Sequence, residues 1–390
     1  MKVLVASHSY IVDLNCEKLR TLASMGHEVT VVVPKRWNPG GVQSRIVEPR
    51  PRQEGSFRIV PIANLSQNNQ GLLSFGWEIV TLLKSFKPDV IQVEQGAKSL
   101  GYAQMITLNR LLGGNAKNLF FTWWNLPYEL SFPLSLLESY NLRHTDGLVV
   151  GNQDGADILK DRGYHGPVRV MPQLGVDEGL FCPQEQPQLR QQQSIPDNDF
   201  VVGFVGRFVP EKGLFTLLQA LATLVHLPWT LVLLGRGPLK DGLKGQAQTL
   251  GIAERVRWIE SVPHDAVPDY INLMDTLVLP SETTYEFKTL TSVGWKEQFG
   301  HVLIEAMACR VPVIGSDSGE IPHVIGDSGL VFPEKDYGAL ADRLKQLIQQ
   351  PEQRQSLAKK GYERAMEQYT NKALAAELLT FYQELVATSL

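Results

Sequence analysis

The sequence predicts an α/β protein made of two Rossmann-like units, each built around a mainly parallel sheet. Short apolar runs typical of buried parallel strands recur along the chain, and helical stretches separate them. A strand, a helix and a second strand follow one another within about 35 residues at the start, which is the scale of a βαβ unit. The length of 390 residues also exceeds what one ordinary core accommodates.

The first unit is expected over residues 1–175, and a segment of different composition follows it. The segment 176–198 contains three prolines and a run of glutamines, which is typical of a linker. The strands of the first unit are predicted at 3–6, 28–33, 88–93, 118–122, 147–150 and 168–171.

The alternation of strands and helices restarts in a second unit, expected over residues 199–370. A final helix is expected over 371–390, where leucines and aromatic residues recur at helical spacing. The strands of the second unit are predicted at 200–205, 229–234, 256–259, 276–280, 312–316 and 330–332.

Composition narrows the classes of function. The formal net charge is −4, whereas nucleic-acid-binding domains are usually basic, so we expect no nucleic-acid partner. The three cysteines are far apart and lack zinc-ligand spacing, which fits the reducing cytoplasm. No uninterrupted apolar run reaches 18 residues, so we expect no transmembrane helix, and the first apolar run is too short for a signal peptide.

The strongest local motif lies between a predicted strand and a predicted helix and reads Gly206-Arg207-Phe208-Val209-Pro210-Glu211-Lys212-Gly213. Glycines at such a turn let a ligand approach the backbone, and the following helix N-terminus favours an anion. Arg207 offers a planar fork for phosphate oxygens, and Lys212 offers a point charge. The motif predicts a diphosphate site, and the alternative is a tight turn with two solvated cations.

Two carboxylates form the second motif. Glu297 is expected in a loop, and Glu305 lies inside an apolar helix that begins near Gly300. A carboxylate on the buried face of a helix is costly unless it is paired or hydrogen-bonded. Sugar and ribose hydroxyls would supply partners for both residues. The alternative is an exposed Glu297 and a buried salt bridge for Glu305.

These motifs resemble those of family 4 of the glycosyltransferases, a large retaining family with the GT-B fold. The resemblance covers nearly the whole chain and is strongest between residues 201 and 333. Besides the two motifs above, it is carried by the segments 232–237, 258–263, 267–270, 275–281, 305–308 and 312–322.

The resemblance implies a GT-B architecture in which two Rossmann-like domains face each other across a cleft. Residues 1–175 would bind the acceptor, residues 199–370 would bind the donor, and the helix at 371–390 would cross back to the N-terminal domain. Arg207 and Lys212 would bind the donor diphosphate, Glu297 the transferred sugar, and Glu305 the ribose. Amides of Phe299, Gly300, His301 and Val302 would lie near sugar and phosphate, and Val262 would lie near the base.

The N-terminal half departs from the family pattern. The loop 7–13 lacks the usual glycine pair, and Trp124 stands roughly where many members have a histidine. Tyr10, Trp123 and Trp124 are candidates for stacking on an acceptor sugar, and packing between domains is the alternative for the two tryptophans. The basic stretch 35–52 is either a solvated loop or a contact for an anionic lipid or diphosphate acceptor.

The expected reaction moves a sugar from a nucleoside diphosphate sugar to a sugar, lipid-linked or other hydroxyl acceptor, with retention, in polysaccharide or glycoconjugate biosynthesis. No cofactor or metal is expected, because two cations would serve the leaving diphosphate and the acidic run 197–199 lies in the predicted linker. The protein is expected in the cytoplasm, with peripheral contact to the inner membrane face.

Two alternatives stay open. One is a sugar phosphorylase of similar fold, and the other is a noncatalytic subunit that binds sugar or nucleotide. A dinucleotide-dependent oxidoreductase is disfavoured because no G-x-G-x-x-G follows the first strand.

Overall fold

A computed structural model describes residues 1–39, 45–288 and 291–388. The chain divides into two compact units. The first unit comprises Met1–Gly175 and Asn371–Leu390, and the second comprises Val176–Thr370. Each unit contains its own sheet, and parallel pairing dominates both sheets, which confirms the predicted α/β class.

The first unit has an eight-stranded sheet in the order β3-β4-β2-β1-β5-β6-β7-β8. The pairing is parallel except between β3 and β4. The strands are β1 (Lys2–Ala6), β2 (Glu28–Pro34), β3 (Arg52–Glu54), β4 (Phe57–Ile62), β5 (Val90–Val93), β6 (Lys117–Thr122), β7 (Gly147–Val150) and β8 (Val168–Val170). The helices are α1 (Glu17–Ser24), α2 (Glu78–Phe86), α3 (Leu100–Leu111), α4 (Leu134–Arg143), α5 (Gln153–Asp161) and the C-terminal helix (Asn371–Ala387).

Both faces of the central strands β1, β2, β5, β6 and β7 are buried, which explains why these strands are continuous apolar runs. Leu4 and Ala6 of β1 pack on one face, in a core that includes residues of α2 and α3. Val3 and Val5 point to the other face, which is covered by α1 and the C-terminal helix. The C-terminal helix contributes Leu374, Leu378, Phe381, Tyr382 and Leu385 to that core.

The second unit has a six-stranded parallel sheet in the order β11-β10-β9-β12-β15-β16 and a separate antiparallel hairpin, β13-β14. The strands are β9 (Phe200–Val205), β10 (Trp229–Leu234), β11 (Val256–Ile259), β12 (Thr276–Leu279), β13 (Thr284–Lys288), β14 (Val293–Trp295), β15 (Val313–Ser316) and β16 (Leu330–Phe332). The helices are α6 (Pro187–Gln192), α7 (Leu214–Thr223), α8 (Lys240–Thr249), α9 (Val267–Asn272), α10 (His301–Ala308), α11 (Ile321–Ile325), α12 (Tyr337–Gln349) and α13 (Pro351–Gln368).

The segment 176–198, for which composition predicts a linker, belongs to the second unit and contains α6. Its polar side chains have partners there. The Gln186 side chain donates to Asp269 at 2.9 Å, and Arg257 donates to the Gln193 carbonyl at 2.7 Å. Parts of three sequence-based assignments lie outside the described residues: positions 40–44 of the basic stretch, 289 and 290 of the second unit, and 389 and 390 of the final helix.

Candidate functional site

The strand order of the second sheet reverses between β9 and β12. From β9 the chain proceeds to β10 and β11 on one side, whereas β12, β15 and β16 lie on the other side. Ligands of open α/β sheets bind outside the carboxyl ends of strands at such a reversal. The turn Gly206–Gly213 follows β9, and Pro280 and Ser281 follow β12, so both segments begin at this point.

A buried carboxylate lies where these segments meet. Glu297 is 7% exposed, and its Oε2 accepts a hydrogen bond from Ser281 Oγ at 2.7 Å. The ammonium of Lys212 forms an ion pair with the same oxygen and lies 5.0 Å from the centroid of the Trp295 ring. A buried carboxylate is costly unless it is paired and hydrogen-bonded, and Lys212 and Ser281 supply such partners to Glu297.

Two glycines bring the loops of this site together. Gly213 has φ +61°, and a Cβ there would lie 1.9 Å from the carbonyl oxygen of Pro280. Gly319, in the loop after β15, has φ +56°, and its Cβ would lie 1.9 Å from the carbonyl oxygen of Glu297. The sequence-based interpretation assigned the Gly213 turn to a close approach of ligand. The structure corrects this, because Gly213 accommodates the neighbouring backbone.

Arg207 differs from Lys212 in its surroundings. Its side chain is 68% exposed, and its guanidinium lies 3.6 Å from the carboxylate of Glu211, which is buried. The fork of Arg207 is therefore accessible to an anion, while Lys212 is largely enclosed, with 14% of its side chain exposed.

Helix α10 presents its N-terminus beside Glu297. Gly300 caps this helix with φ +82°, and the amides of Gly300, His301 and Val302 have no acceptor among the described residues. Such amides carry a partial positive charge and bind anions readily. Phe299 is buried, and its ring packs edge-on against Tyr369 at 5.7 Å between centroids.

Glu305 lies one turn further along α10. Burial raises the pKa of its carboxyl to about 7, and 14% of its side chain is exposed. Desolvation by the surrounding protein, with a smaller effect of His264, lowers the pKa of His301 to about 4, although 38% of the His301 side chain remains accessible. His301 Nε2 lies 3.9 Å from Glu305 Oε1. Because His301 is neutral at pH 7, the buried salt bridge considered for Glu305 does not form with it.

The remaining donor-side candidate, Val262, is half-buried in the loop after β11, at the same edge of the sheet. Ser281 had no role in the sequence-based interpretation, although it ends the motif 275–281. Ser316 Oγ donates to the Ser281 carbonyl at 2.5 Å, so β15 also supports the site. These contacts join segments that are distant in sequence, which motif spacing alone does not reveal.

In the first unit, Tyr10 is a core residue. It is 1% exposed, and its hydroxyl donates to Glu94 Oε1 at 2.9 Å. Gln92 and Gln173 also donate to the Glu94 carboxylate, at 2.9 and 2.6 Å. Burial and the nearby Glu94 raise the pKa of Tyr10 well above its usual value. As a correction to the sequence-based assignment, the ring of Tyr10 offers no face on which a sugar could stack.

Both tryptophans have partners within the first unit. Trp123 donates its indole N–H to Gln173 at 3.0 Å, and its ring lies against Gly151, where a Cβ would come within 2.0 Å of it. The ammonium of Lys98 lies 4.0 Å from the centroid of the Trp124 ring. Trp124 is half-buried, and Lys98 occupies part of the surface on which a sugar would stack.

Among the described residues, no three His, Cys, Asp or Glu side chains are grouped so that they could hold a metal ion. No helix within residues 1–39, 45–288 and 291–388 combines the length and apolar character needed to cross a membrane.

Comparison with protein families and curated sequences gives matches across the second unit. Residues 185–364 match the family described as glycosyl transferases group 1. N-acetyl-alpha-D-glucosaminyl L-malate synthase of Bacillus anthracis is 28% identical over 214 residues, 54% of this chain and 52% of the relative. D-inositol 3-phosphate glycosyltransferase of Salinispora tropica is 30% identical over 271 residues, 64% of this chain and 53% of the relative. The chain thus spans about half the length of these curated relatives.

Solved structures match over the whole chain. Sucrose-phosphate synthase from Thermosynechococcus elongatus is 21% identical, with a TM-score of 0.70 and full coverage of both chains. A glycosyltransferase from Rickettsia africae is 14% identical, with a TM-score of 0.72, and covers 99% of this chain and 98% of its own. An Anabaena protein in complex with UDP-glucose is 18% identical, with a TM-score of 0.68 and coverage of 97% and 99%. These likenesses identify the fold as GT-B.

Proposed function

Because residues 185–364 belong to the glycosyl transferases group 1 family and the fold is GT-B, as the motifs predicted, we propose that the chain is a retaining glycosyltransferase. The donor is a nucleoside diphosphate sugar, and the acceptor is a hydroxyl of a sugar, a lipid-linked molecule or another compound. The products serve polysaccharide or glycoconjugate biosynthesis in the cytoplasm, with peripheral contact to the inner membrane face. The Anabaena structure with UDP-glucose supports a nucleotide-sugar donor.

One observation carries this proposal, namely the pairing of Lys212 with Glu297 at the strand-order reversal of the second sheet. The pair places a cation beside a carboxylate that accepts hydrogen bonds from hydroxyls, and both lie next to the free amides of α10. A diphosphate takes the cation, and a sugar hydroxyl donates to the carboxylate.

During transfer, the bond between the anomeric carbon and the diphosphate oxygen breaks, and a bond from the acceptor oxygen to the anomeric carbon forms on the same face. The proton of the acceptor hydroxyl passes to the departing phosphate oxygen. Negative charge then grows on the diphosphate, where Lys212, the exposed Arg207 and the α10 amides stabilise it. Glu297 stabilises the positive charge that develops on the sugar.

The reaction is proposed to need no metal ion. Arg207 and Lys212 supply two positive charges, and the α10 N-terminus adds a partial one. Glu305 holds the ribose, since a carboxyl accepts hydrogen bonds from hydroxyls, and Val262 lies against the base.

The test is incubation with a panel of UDP-, GDP-, ADP- and dTDP-sugars, with and without EDTA, followed by ¹H NMR of the product. We expect consumption of one donor, unaffected by EDTA, and an anomeric coupling that matches the donor. Sugar transfer only from a sugar phosphate, with release of inorganic phosphate, would identify a phosphorylase instead. Binding of nucleotide without consumption under any condition would identify a noncatalytic subunit.

A further inference from the structure

A cavity of about 320 Å³ opens in the first unit at the carboxyl ends of β1 and β2. His8, Ser9 and Asn15 line it from the segment after β1, and Asn38 lines it from the segment after β2. Asn68 and Gln70 complete its polar wall. The position corresponds to the sheet edge at which α/β proteins bind ligands, on the unit proposed to hold the acceptor.

The lining of this cavity combines polar residues with the apolar residues Ile11, Val12, Trp37 and Pro39, and it carries no formal charge. None of its described lining residues is an Asp, Glu, Lys or Arg. Burial lowers the pKa of His8 to about 4, so its imidazole is neutral at physiological pH. The side-chain amides of Asn68 and Gln70 make no hydrogen bond to any described residue, and both side chains are exposed. These groups donate and accept hydrogen bonds equally, which suits hydroxyls.

One buried atom at the cavity lacks a partner. Nδ1 of His8 is enclosed and has no hydrogen-bond partner among the described residues. Buried polar atoms are nearly always satisfied in folded proteins, and an exception calls for an explanation such as a ligand or water. No described residue supplies that partner, so a small enclosed molecule such as water would satisfy Nδ1 of His8.

Two arginines of the basic stretch 35–52 are already paired. Arg36 binds Glu48 at 3.0 Å, and Arg52 binds both Asp13 and, at 2.9 Å, Glu54. An anionic acceptor held at this edge would thus compete with carboxylates for these guanidinium groups. Placing its charge in a neutral cavity would cost desolvation without compensation.

From this geometry we infer that the cavity binds an uncharged, hydroxyl-bearing acceptor, a neutral sugar residue, in preference to a phosphorylated or diphosphate-linked one. The inference rests on the proposed function and adds the chemical class of the acceptor.

The test uses a matched pair of substitutions at the exposed cavity residue Gln70. The wild type, Gln70→Glu and Gln70→Lys are applied to a glycan array that carries neutral and phosphorylated glycans. Gln248→Glu and Gln248→Lys, at an exposed position of α8, are the controls. A neutral ligand should bind the Glu and Lys variants with similar affinity. An anionic ligand beside residue 70 should bind roughly tenfold more weakly to the Glu variant than to the Lys variant.

We expect the wild type to retain neutral glycans, both Gln70 variants to retain them within about threefold of each other, and the Gln248 variants to match the wild type. Retention of phosphorylated glycans alone, retention of no glycan, or a tenfold difference between the two Gln70 variants would overturn the inference. Hydrolysis of a nucleotide sugar without acceptor is measured in parallel. If a donor is consumed while only anionic acceptors are used, the acceptor class is wrong and the proposed function stands.

Discussion

Lys212 and Glu297 form an ion pair across 85 positions of the sequence, at the point where the strand order of the second sheet reverses. The pair is enclosed, with 14% and 9% of the two side chains exposed. It joins the turn after β9 to the loop before α10, and Ser281 joins both to β12. These contacts therefore hold together the three segments that form the proposed donor site.

The close contact between Gly319 and Glu297 gives a first prediction. Gly319→Ala places an alanine in a left-handed backbone conformation. It also places a Cβ 1.9 Å from the carbonyl oxygen of Glu297, so the loop must move. We expect a loss of more than about 2 kcal/mol in the free energy of unfolding, together with reduced donor affinity.

Gly251→Ala is the matched control for this substitution. Gly251 has φ +68° with no atom within 4 Å of a Cβ, so its replacement should cost only about 1 kcal/mol. Urea unfolding measures both values. If the two variants lose equal stability, the contact with Glu297 does not constrain the loop as described.

The raised pKa of Glu305 predicts that the stability of the protein depends on pH. Burial raises the pKa of its carboxyl from 4.5 to about 7, so the folded state keeps a proton that the unfolded chain releases. The contribution of Glu305 to stability therefore falls as pH rises from about 4.5 to 7. Glu305→Gln should be more stable than the wild type by roughly 1–3 kcal/mol at pH 8, and the difference should shrink towards pH 5.

Denaturant unfolding of Glu305→Gln and wild type at pH 5 and pH 8 measures this difference. The lowered pKa of His301 affects both proteins and largely cancels in the comparison. A variant that is less stable than the wild type at pH 8 would show that the Glu305 charge is compensated in the folded protein.

The two carboxylates should differ in their kinetic roles. In the proposed reaction Glu297 faces the sugar, so its interactions should strengthen as charge develops at the anomeric carbon, whereas the proposed ribose binding at Glu305 should not change during reaction. Glu297→Gln should lower kcat by more than it raises the donor KM, and Glu305→Gln should do the reverse. Circular dichroism and melting first establish that both variants fold. Equal losses of kcat at saturating donor would contradict this division.

Sequence patterns predict the buried strands well, because a strand covered on both faces is a continuous apolar run. The range of β10 (Trp229–Leu234) is predicted without error. The strand β4 (Phe57–Ile62) is missed, since Arg58 and Pro61 interrupt its apolar character and three of its positions are half-buried. The helix α3 (Leu100–Leu111) is missed because its apolar residues do not form one clear stripe.

The candidate site is likewise predictable from the sequence only in part. Motifs identify Lys212 and Glu297 separately, but only the fold shows that Lys212 and Ser281 bind the same carboxylate oxygen of Glu297. Tyr10 lies in a polar stretch of sequence, but its ring belongs to a hydrophobic core and its hydroxyl donates to Glu94, a distant partner that no local pattern reveals.

The most direct test of the account is calorimetric titration of UDP, GDP, ADP and dTDP into the wild type, Lys212→Met and the control Lys359→Met. Lys359 is a largely exposed lysine of α13, so its substitution should leave the affinity unchanged. We predict that at least one nucleotide binds the wild type, and that Lys212→Met weakens it by about tenfold or more, since a hydrogen bond to a charged group contributes roughly 1.5–3 kcal/mol. A folded Lys212→Met variant with wild-type affinity, or no binding of any of the four nucleotides to the wild type, would contradict the account.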